Sequence, residues 1–222
     1  MFQHNYNWIL MLRFLFTLFT LCLSAPIVSA NESDLNDLYL LLENKTKDKQ
    51  LHQKAINSGV KRAFVCKYCH GQDGNSKRDH IPNLAQQNSK YLLRQFELFA
   101  SLSRKNKIMS ELAKTLTADD RVNIALYYAQ QKVKLRKAFK PELAELGKYL
   151  FNTTCASCHG DTGHGYDELP RIAGQPAKYV VMSLKKYKSG STSRPDSPMQ
   201  AIAQRLSGKD INALAAYLSV LE

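Results

Sequence analysis

The sequence predicts an all-α protein made of two similar helical bundles. Apolar residues recur at the i, i+3, i+4 spacing of helices, and no stretch alternates with period two between turn signals. An internal duplication divides most of the chain into two comparable units. The composition is that of a globular protein, because 44% of the residues are hydrophobic, 23% are charged, and there are only 7 Pro and 10 Gly.

The duplication begins at two Cys-x-x-Cys-His motifs, residues 66–70 and 155–159, whose first cysteines lie 89 positions apart. Further matches stay 88 or 90 positions apart: Pro82 with Pro170, Met109 with Met199, and segment 116–120 with segment 206–210. Agreement across several residue types indicates that each copy is one structural unit.

Helical signals occur in the same order in both copies. Apolar faces in segments 91–99 and 179–187 predict a helix in each. Thr117 and Ser207 are N-cap candidates for closing helices that run to about Gln131 and Val220, since an acidic residue follows each cap three positions later.

The regions outside the repeats complete the predicted organisation. Leu35, Leu38, Tyr39 and Leu42 suggest one amphipathic helix that packs on the first unit. Pro141 suits the first turn of the helix that leads into the second motif. The expected segments are a signal peptide at 1–30, an N-terminal helical extension at 31–58, a first domain at 59–131, a basic linker at 132–140 and a second domain at 141–222.

The first thirty residues resemble a secretory signal. Arg13 is followed by the apolar run 14–23 and the small-residue stretch 24–30, which predicts cleavage after Ala30. An uncleaved anchor is the alternative, because residues 8–12 extend the apolar stretch. Leu21 precedes Cys22 where a lipoprotein signal needs a small residue, so a lipid anchor is not expected.

Cysteine use and charge indicate the compartment and the partners. Removing the signal leaves four cysteines, all within the two motifs, which fits a protein exported to a bacterial periplasm. The formal net charge of +12 predicts acidic protein partners rather than nucleic acid, and it allows peripheral membrane association. The basic segment 132–140 is either a docking patch or a solvated linker.

Each Cys-x-x-Cys-His motif predicts one covalently bound haem c. Cys66 and Cys69, like Cys155 and Cys158, are spaced to form thioethers with haem vinyl groups, and the adjacent histidine reaches the iron. Redox-active cysteine pairs and zinc binding are the alternatives. Neither explains a histidine after both pairs in separate duplicated units. The prediction is therefore two haems, with His70 and His159 as iron ligands.

The second axial ligand separates electron carriers from haem enzymes. Met109 and Met199 occupy equivalent positions before the closing helices, so we predict that they complete the coordination of the two irons. Met182 lies in a predicted helix opposite Arg94 and is interpreted as a core methionine. Three remaining histidines have no histidine partner in the other copy and are interpreted as surface or loop residues: His52, His80 and His164.

Two pairs of residues are candidates for supporting roles. Pro82 and Pro170 either accept a hydrogen bond from the axial histidine or simply form turns. Arg104 and Arg194 either pair with haem propionates or face solvent.

These features together resemble the dihaem cytochrome c4 family over nearly all of residues 59–222. The resemblance rests on two Cys-x-x-Cys-His-Gly motifs, Pro-x-Leu/Ile-Ala followed by glutamine, Ser-Arg before a methionine, and the closing Leu-Ser/Thr-x-x-Asp helix. It implies two class I cytochrome c domains related by a pseudo-twofold axis. It also implies thioethers at the four cysteines, His–Met ligation as above, and proline carbonyls that accept from the histidines.

The resemblance implies electron transfer from the quinol-oxidising side of a respiratory chain to a terminal oxidase. A dihaem enzyme such as a peroxidase is the alternative, as is a dedicated haem subunit of a redox enzyme. The first copy departs from the family pattern at Ala85-Gln86-Gln87, where the second has Ala173-Gly174-Gln175, and the N-terminal extension is long.

Overall fold

The computed structural model describes residues 30–191 and 197–222 of the chain. Within these residues every regular element is helical, and the strand-like pairing consists of one isolated bridge between Tyr166 and Leu169. The all-α prediction is confirmed. Residues 1–29 of the predicted signal segment and Arg194 lie outside the described residues.

The helices follow the order expected from the duplication. We number those in the described residues as follows: α1 (Ala30–Lys47), α2 (Lys49–Arg62), α3 (Lys67–His70), α4 (Ser89–Ala100), α5 (Lys107–Lys114), α6 (Ala118–Ala129), α7 (Ala144–Leu150), α8 (Ala156–His159), α9 (Ala177–Lys188), α10 (Met199–Gln204) and α11 (Gly208–Leu218). Helices α2 to α6 belong to the first unit and α7 to α11 are their counterparts in the second.

The N-terminal extension differs from its prediction. It forms two helices rather than one, because the Asp48 side chain accepts a hydrogen bond from the Leu51 N–H at 2.8 Å and starts a new helix. Helix α2 continues to Arg62, so the boundary expected after residue 58 falls inside a helix. Leu38 and Leu42 of α1 are buried in the first hydrophobic core, so α1 does pack on the first unit.

A close helix crossing is repeated in both units. Helix α2 packs against α6, where a Cβ on Gly59 would lie 2.1 Å from the backbone oxygen of Asn123. Helix α7 packs against α11 in the same way, and a Cβ on Gly147 would lie 2.0 Å from the oxygen of Ala213. Glycine at these two positions lets the helix backbones touch.

The predicted helix starts are confirmed. Thr117 and Ser207 form complete capping boxes with Asp120 and Asp210, although the closing helices end at Ala129 and Leu218, slightly before the predicted ends. A 3₁₀ turn at Pro141–Leu143 leads into α7, as the proline predicted.

The approach to the second motif contains a π-helical turn at Phe151–Cys155. Gly59 and Gly147 lie 88 positions apart, whereas Cys66 and Cys155 lie 89 apart, so the second copy has one extra residue here. A π turn absorbs one residue without ending a helix. The second motif therefore keeps its orientation despite the insertion.

Each unit has its own hydrophobic core, which includes the buried Leu93 and Val122 in the first and Phe151 and Ile211 in the second. Residues Ser33–Glu222 nevertheless form one compact unit. Among the described residues, none of the helices combines the length and apolarity that crossing a membrane requires.

The segment between the units is bound to the first one. Lys134 Nζ lies 2.6 Å from Asp73 Oδ2, and Arg136 forms an ion pair with Asp79. Asn75 donates from Nδ2 to the Lys132 carbonyl at 2.9 Å. Two of the linker's cations are thus paired within the molecule rather than free for a partner.

Candidate functional site

Both motifs sit on one-turn helices that end at a glycine. Gly71 and Gly160 follow the histidines with φ of 81° and 74°, a backbone conformation that favours glycine. A Cβ on Gly71 would also lie 2.2 Å from the Asn75 oxygen. The turn holds the two cysteines and the histidine of each motif on one short segment, and all four cysteine thiols are free of disulfides.

The motif histidines are buried and oriented by proline carbonyls. His70 Nδ1 lies 2.9 Å from the Pro82 oxygen, and His159 Nδ1 lies 2.9 Å from the Pro170 oxygen. Because a carbonyl only accepts, Nδ1 carries the proton in both rings and Nε2 keeps its lone pair. Such a ring presents Nε2 to a metal.

Burial keeps these imidazoles neutral. Desolvation is the main cause that lowers the pKa of His70, and the nearby positive charge of Arg104 lowers it further. Desolvation likewise lowers the pKa of His159. A neutral imidazole is the form that binds iron.

The first thiol of each motif lacks the lowered pKa of a redox-active cysteine. Burial raises the pKa of the Cys66 thiol. Burial, together with the neighbouring Cys158, raises the pKa of Cys155 to about 11. A reactive Cys-x-x-Cys pair needs a lowered thiol pKa, so the redox alternative is not favoured.

The candidate methionine ligands start two equivalent short helices. The Met109 N–H donates to the Asn106 side chain at 3.0 Å in the first turn of α5, and Met199 is the first residue of α10. Both side chains are partly buried, and Met199 packs against the second core. The interpretation of Met182 as a core residue is wrong, because it is 36% exposed on the outer face of α9.

The other histidines have varied surroundings. His80 is exposed in a loop, and His52 is partly buried on α2. His164 Nε2 donates to the Glu222 carbonyl at 2.9 Å in an exposed contact.

A buried arginine that sequence reasoning missed fits the carboxylates of a haem. Arg171 is 3% exposed, and its Nε and Nη1 have no hydrogen-bond partner in the protein. A buried guanidinium is costly unless an anion pairs with it. The sequence feature that could have identified it is its position directly after Pro170, where the first copy has Asn83 after Pro82.

Arg104 is already occupied within its own unit. Its Nη1 lies 2.5 Å from Gln95 Oε1, and its guanidinium stacks over the Phe99 ring at 4.4 Å from the centroid. These contacts satisfy part of its hydrogen-bonding capacity, while its positive charge lowers the pKa of His70.

Comparison with known proteins identifies the family of this chain. A cytochrome c family model matches residues 144–222. Cytochrome c4 of Pseudomonas aeruginosa is 36% identical over 176 residues, which cover 74% of this chain and 87% of the relative. The chain belongs to the cytochrome c4 family.

A solved structure of reduced cytochrome c4 from Pseudomonas stutzeri extends the similarity to the fold. It matches with a TM-score of 0.69 and 32% identity, covering 75% of this chain and 98% of that one. A further relative, a protein of Thiomonas intermedia named thiosulfate dehydrogenase electron acceptor, is 32% identical over 170 residues. The matched region covers 71% of this chain and 78% of the relative. The cytochrome c4 assignment establishes class I cytochrome c units, haem c binding and electron transport, and it sets aside the zinc alternative.

Proposed function

We propose that this protein is a periplasmic dihaem electron carrier in which each unit holds one haem c. The observation that carries the proposal is the duplicated, buried histidine–carbonyl pair at 2.9 Å, directly after a free cysteine pair in both units. Cys66 and Cys69 in the first unit, and Cys155 and Cys158 in the second, would hold the haems through thioethers.

Four residues would bind the irons: His70 and Met109 in the first unit, and His159 and Met199 in the second. When bound, haem supplies one-electron Fe(III)/Fe(II) chemistry. The carbonyls of Pro82 and Pro170 orient the two imidazoles. Met109 and Met199 would occupy the remaining iron position in each unit and so keep a reactant away from it. Two closed positions favour electron relay over peroxide chemistry.

Charge supports protein docking. The formal net charge of +12 favours encounter with acidic surfaces. Within this proposal the chain accepts electrons from the quinol-oxidising side of a respiratory chain and passes them to a terminal oxidase. Arg171 would neutralise haem carboxylates, and we propose the same role for Arg194, which lies outside the described residues.

The proposal is tested by spectroelectrochemistry of the purified haem protein. We expect two one-electron components, a methionine-to-iron charge-transfer band in the oxidised form, and no carbon monoxide binding to the reduced form. Met109→Ala and Met199→Ala should each open one iron to carbon monoxide. Ready carbon monoxide binding at both haems of the unmodified protein, or peroxide turnover with a reduced donor, would contradict a closed carrier.

A dedicated acceptor of one dehydrogenase is the second candidate, favoured by the similarity to the Thiomonas protein. Under this proposal the protein is reduced by thiosulfate in the presence of that enzyme class and stays bound to its partner. Stopped-flow reduction with a thiosulfate dehydrogenase and with a quinol-oxidising complex, compared at equal concentration, separates the two candidates.

A further inference from the structure

Two buried glutamine side chains each form a pair of hydrogen bonds with the backbone of one residue in the opposite unit. We call each pair a glutamine clasp. Gln175 accepts from the Asn83 N–H at 3.0 Å and donates to the Asn83 carbonyl at 3.0 Å. Gln87 accepts from the Arg171 N–H at 2.8 Å and donates to the Arg171 carbonyl at 2.9 Å. The two glutamines are 88 positions apart in the sequence, and so are Asn83 and Arg171, to which they bond. The two contacts are therefore equivalent under the duplication, with the roles of the two units exchanged.

The clasped peptide groups are those that orient the histidines. The peptide between Pro82 and Asn83 accepts from His70 through its oxygen and donates to Gln175 through its nitrogen. Each axial histidine candidate is thus connected to the opposite unit through a single peptide group.

The second unit's histidine has the same connection in reverse. The Pro170–Arg171 peptide accepts from His159 and donates to Gln87. All of the clasping and clasped residues are buried, with exposures between 2% and 5%. Hydrogen bonds in such surroundings polarise one another along a chain.

We propose that Gln175 and Gln87 are crossed positioning residues, each of which tunes the reduction potential of the haem in the opposite unit. An acceptor on the peptide N–H increases the electron density on the same peptide's oxygen. That oxygen then draws the histidine Nδ1 proton more strongly, and the imidazole donates more strongly to iron. Stronger donation stabilises Fe(III) and lowers the potential. The inference rests on the axial roles of His70 and His159 under the proposed function.

The test is a redox titration of each haem in the complete dihaem protein, followed through the paramagnetically shifted haem-methyl NMR signals. Met109→His and Met199→His samples assign each set of signals to its unit. Gln175→Leu should raise the Fe(II)/Fe(III) ratio of the first unit's haem at least threefold at a fixed solution potential, equivalent to about 28 mV for a one-electron couple. Gln87→Leu should do the same to the second unit's haem alone.

Two further variants separate tuning from loosening of the interface. The Asn88 side chain donates across the interface to the carbonyls of His164 and Leu169 at 3.2 and 2.6 Å, but it does not bond the Pro82–Asn83 or the Pro170–Arg171 peptide, whose oxygens accept from the histidines. Asn88→Ala should therefore leave both potentials unchanged. Gln175→Glu keeps an acceptor for the Asn83 N–H and should hold or lower the first haem's potential, which keeps a test available if Gln175→Leu does not assemble.

The outcomes distinguish the two proposals. The crossed arrangement is overturned if the reduction potential shifts at the haem of the unit that carries the substitution, shifts equally at both haems, or does not shift. A raised potential of the first haem in Gln175→Glu overturns it as well. The methionine-to-iron band is recorded on the same samples. Its absence from the unmodified protein overturns the ligand assignment, whereas a normal band with uncrossed potentials overturns the glutamine proposal alone.

Discussion

At the residue scale, the first unit departs from the second at one backbone position that favours glycine. Gln86 has a φ of +55°, and its counterpart Gly174 has a φ of +67°. Both N–H groups donate to the end of the closing helix of their own unit, to Tyr128 at 2.9 Å and to Leu218 at 2.8 Å. The sequence departure at Ala85-Gln86-Gln87 therefore leaves the fold intact and places a strained residue in the first unit.

Gln86→Gly should raise the free energy of unfolding by about 0.5–1 kcal/mol, because relief of left-handed strain outweighs the entropy that glycine loses on folding. The side chain is exposed, so its removal leaves no cavity. Denaturant unfolding of the haem-loaded protein measures the change. The converse variant, Gly174→Ala, should be destabilising, since its Cβ would lie 2.4 Å from Val133 Cγ1. A less stable Gln86→Gly protein would refute this assignment of strain.

At the element scale, the contact between the entry helix and the closing helix defines each unit. In both copies a glycine lets one helix touch the backbone of the other, and a capping box starts the closing helix. The capping boxes were evident in sequence because they are local patterns. The glycine crossing was not, since it depends on which helices meet.

Gly59→Ala should lower the free energy of unfolding by about 1–3 kcal/mol, because the added methyl group would overlap the Asn123 backbone. Gly208 is the matched control, since a Cβ there meets nothing within 4 Å. Gly208→Ala should leave stability unchanged or raise it slightly. Thermal unfolding of both variants tests the crossing, and equal effects at the two sites would contradict it.

The second capping box predicts a defined pH dependence. The Ser207 N–H, which donates to Asp210 Oδ2 at 2.8 Å, is the main cause that lowers the pKa of Asp210, and the Ser207 hydroxyl adds to it. A carboxyl with a lowered folded-state pKa contributes stability above its unfolded pKa of about 3.9 and loses it as pH falls through the folded value.

Asp210→Asn should therefore be less stable than the unmodified protein at neutral pH, by about 1 kcal/mol, the usual scale of a lost cap. The difference should shrink as the pH falls below about 3.9 and through the lowered folded-state pKa of Asp210. Urea unfolding across this range measures it. A difference that stays constant in acid would show that the carboxylate charge is not responsible.

At the scale of the whole molecule, the two units meet through polar contacts that are reciprocal. The glutamine clasps are accompanied by Lys90–Asp167 and Arg94–Glu168 ion pairs at 2.9 and 3.3 Å. Surface ion pairs of this kind add little stability, so orientation rests mainly on the buried amides.

The overall charge predicts how the carrier meets small redox reagents. With a formal net charge of +12, oxidation of the reduced protein by anionic ferricyanide should slow several-fold as ionic strength rises from about 0.01 to about 0.5 M. Oxidation by the cationic tris(phenanthroline)cobalt(III) should accelerate over the same range. Stopped-flow absorbance measures both, and the same salt dependence for both reagents would contradict electrostatic control.

Local patterns predicted most of the elements. The two motifs, the helical periodicity, Pro141 and the Ser207 capping box each depend on neighbours within one or two turns, so the sequence was sufficient. The extension was predicted less well, because Asp48 starts a second helix inside a pattern that reads as continuous. Met182 was misplaced because a helical pattern does not show which face meets the core.

By itself, the sequence determined the chemistry that the chain can hold: two cysteine pairs with histidines, in two copies of one helical unit. Only the tertiary structure decided how the copies face each other. It placed Gln87 and Gln175 on the opposite unit's proline peptides and buried Arg171 without a protein partner. These contacts join residues more than eighty positions apart, and local propensity carries no information about such pairings.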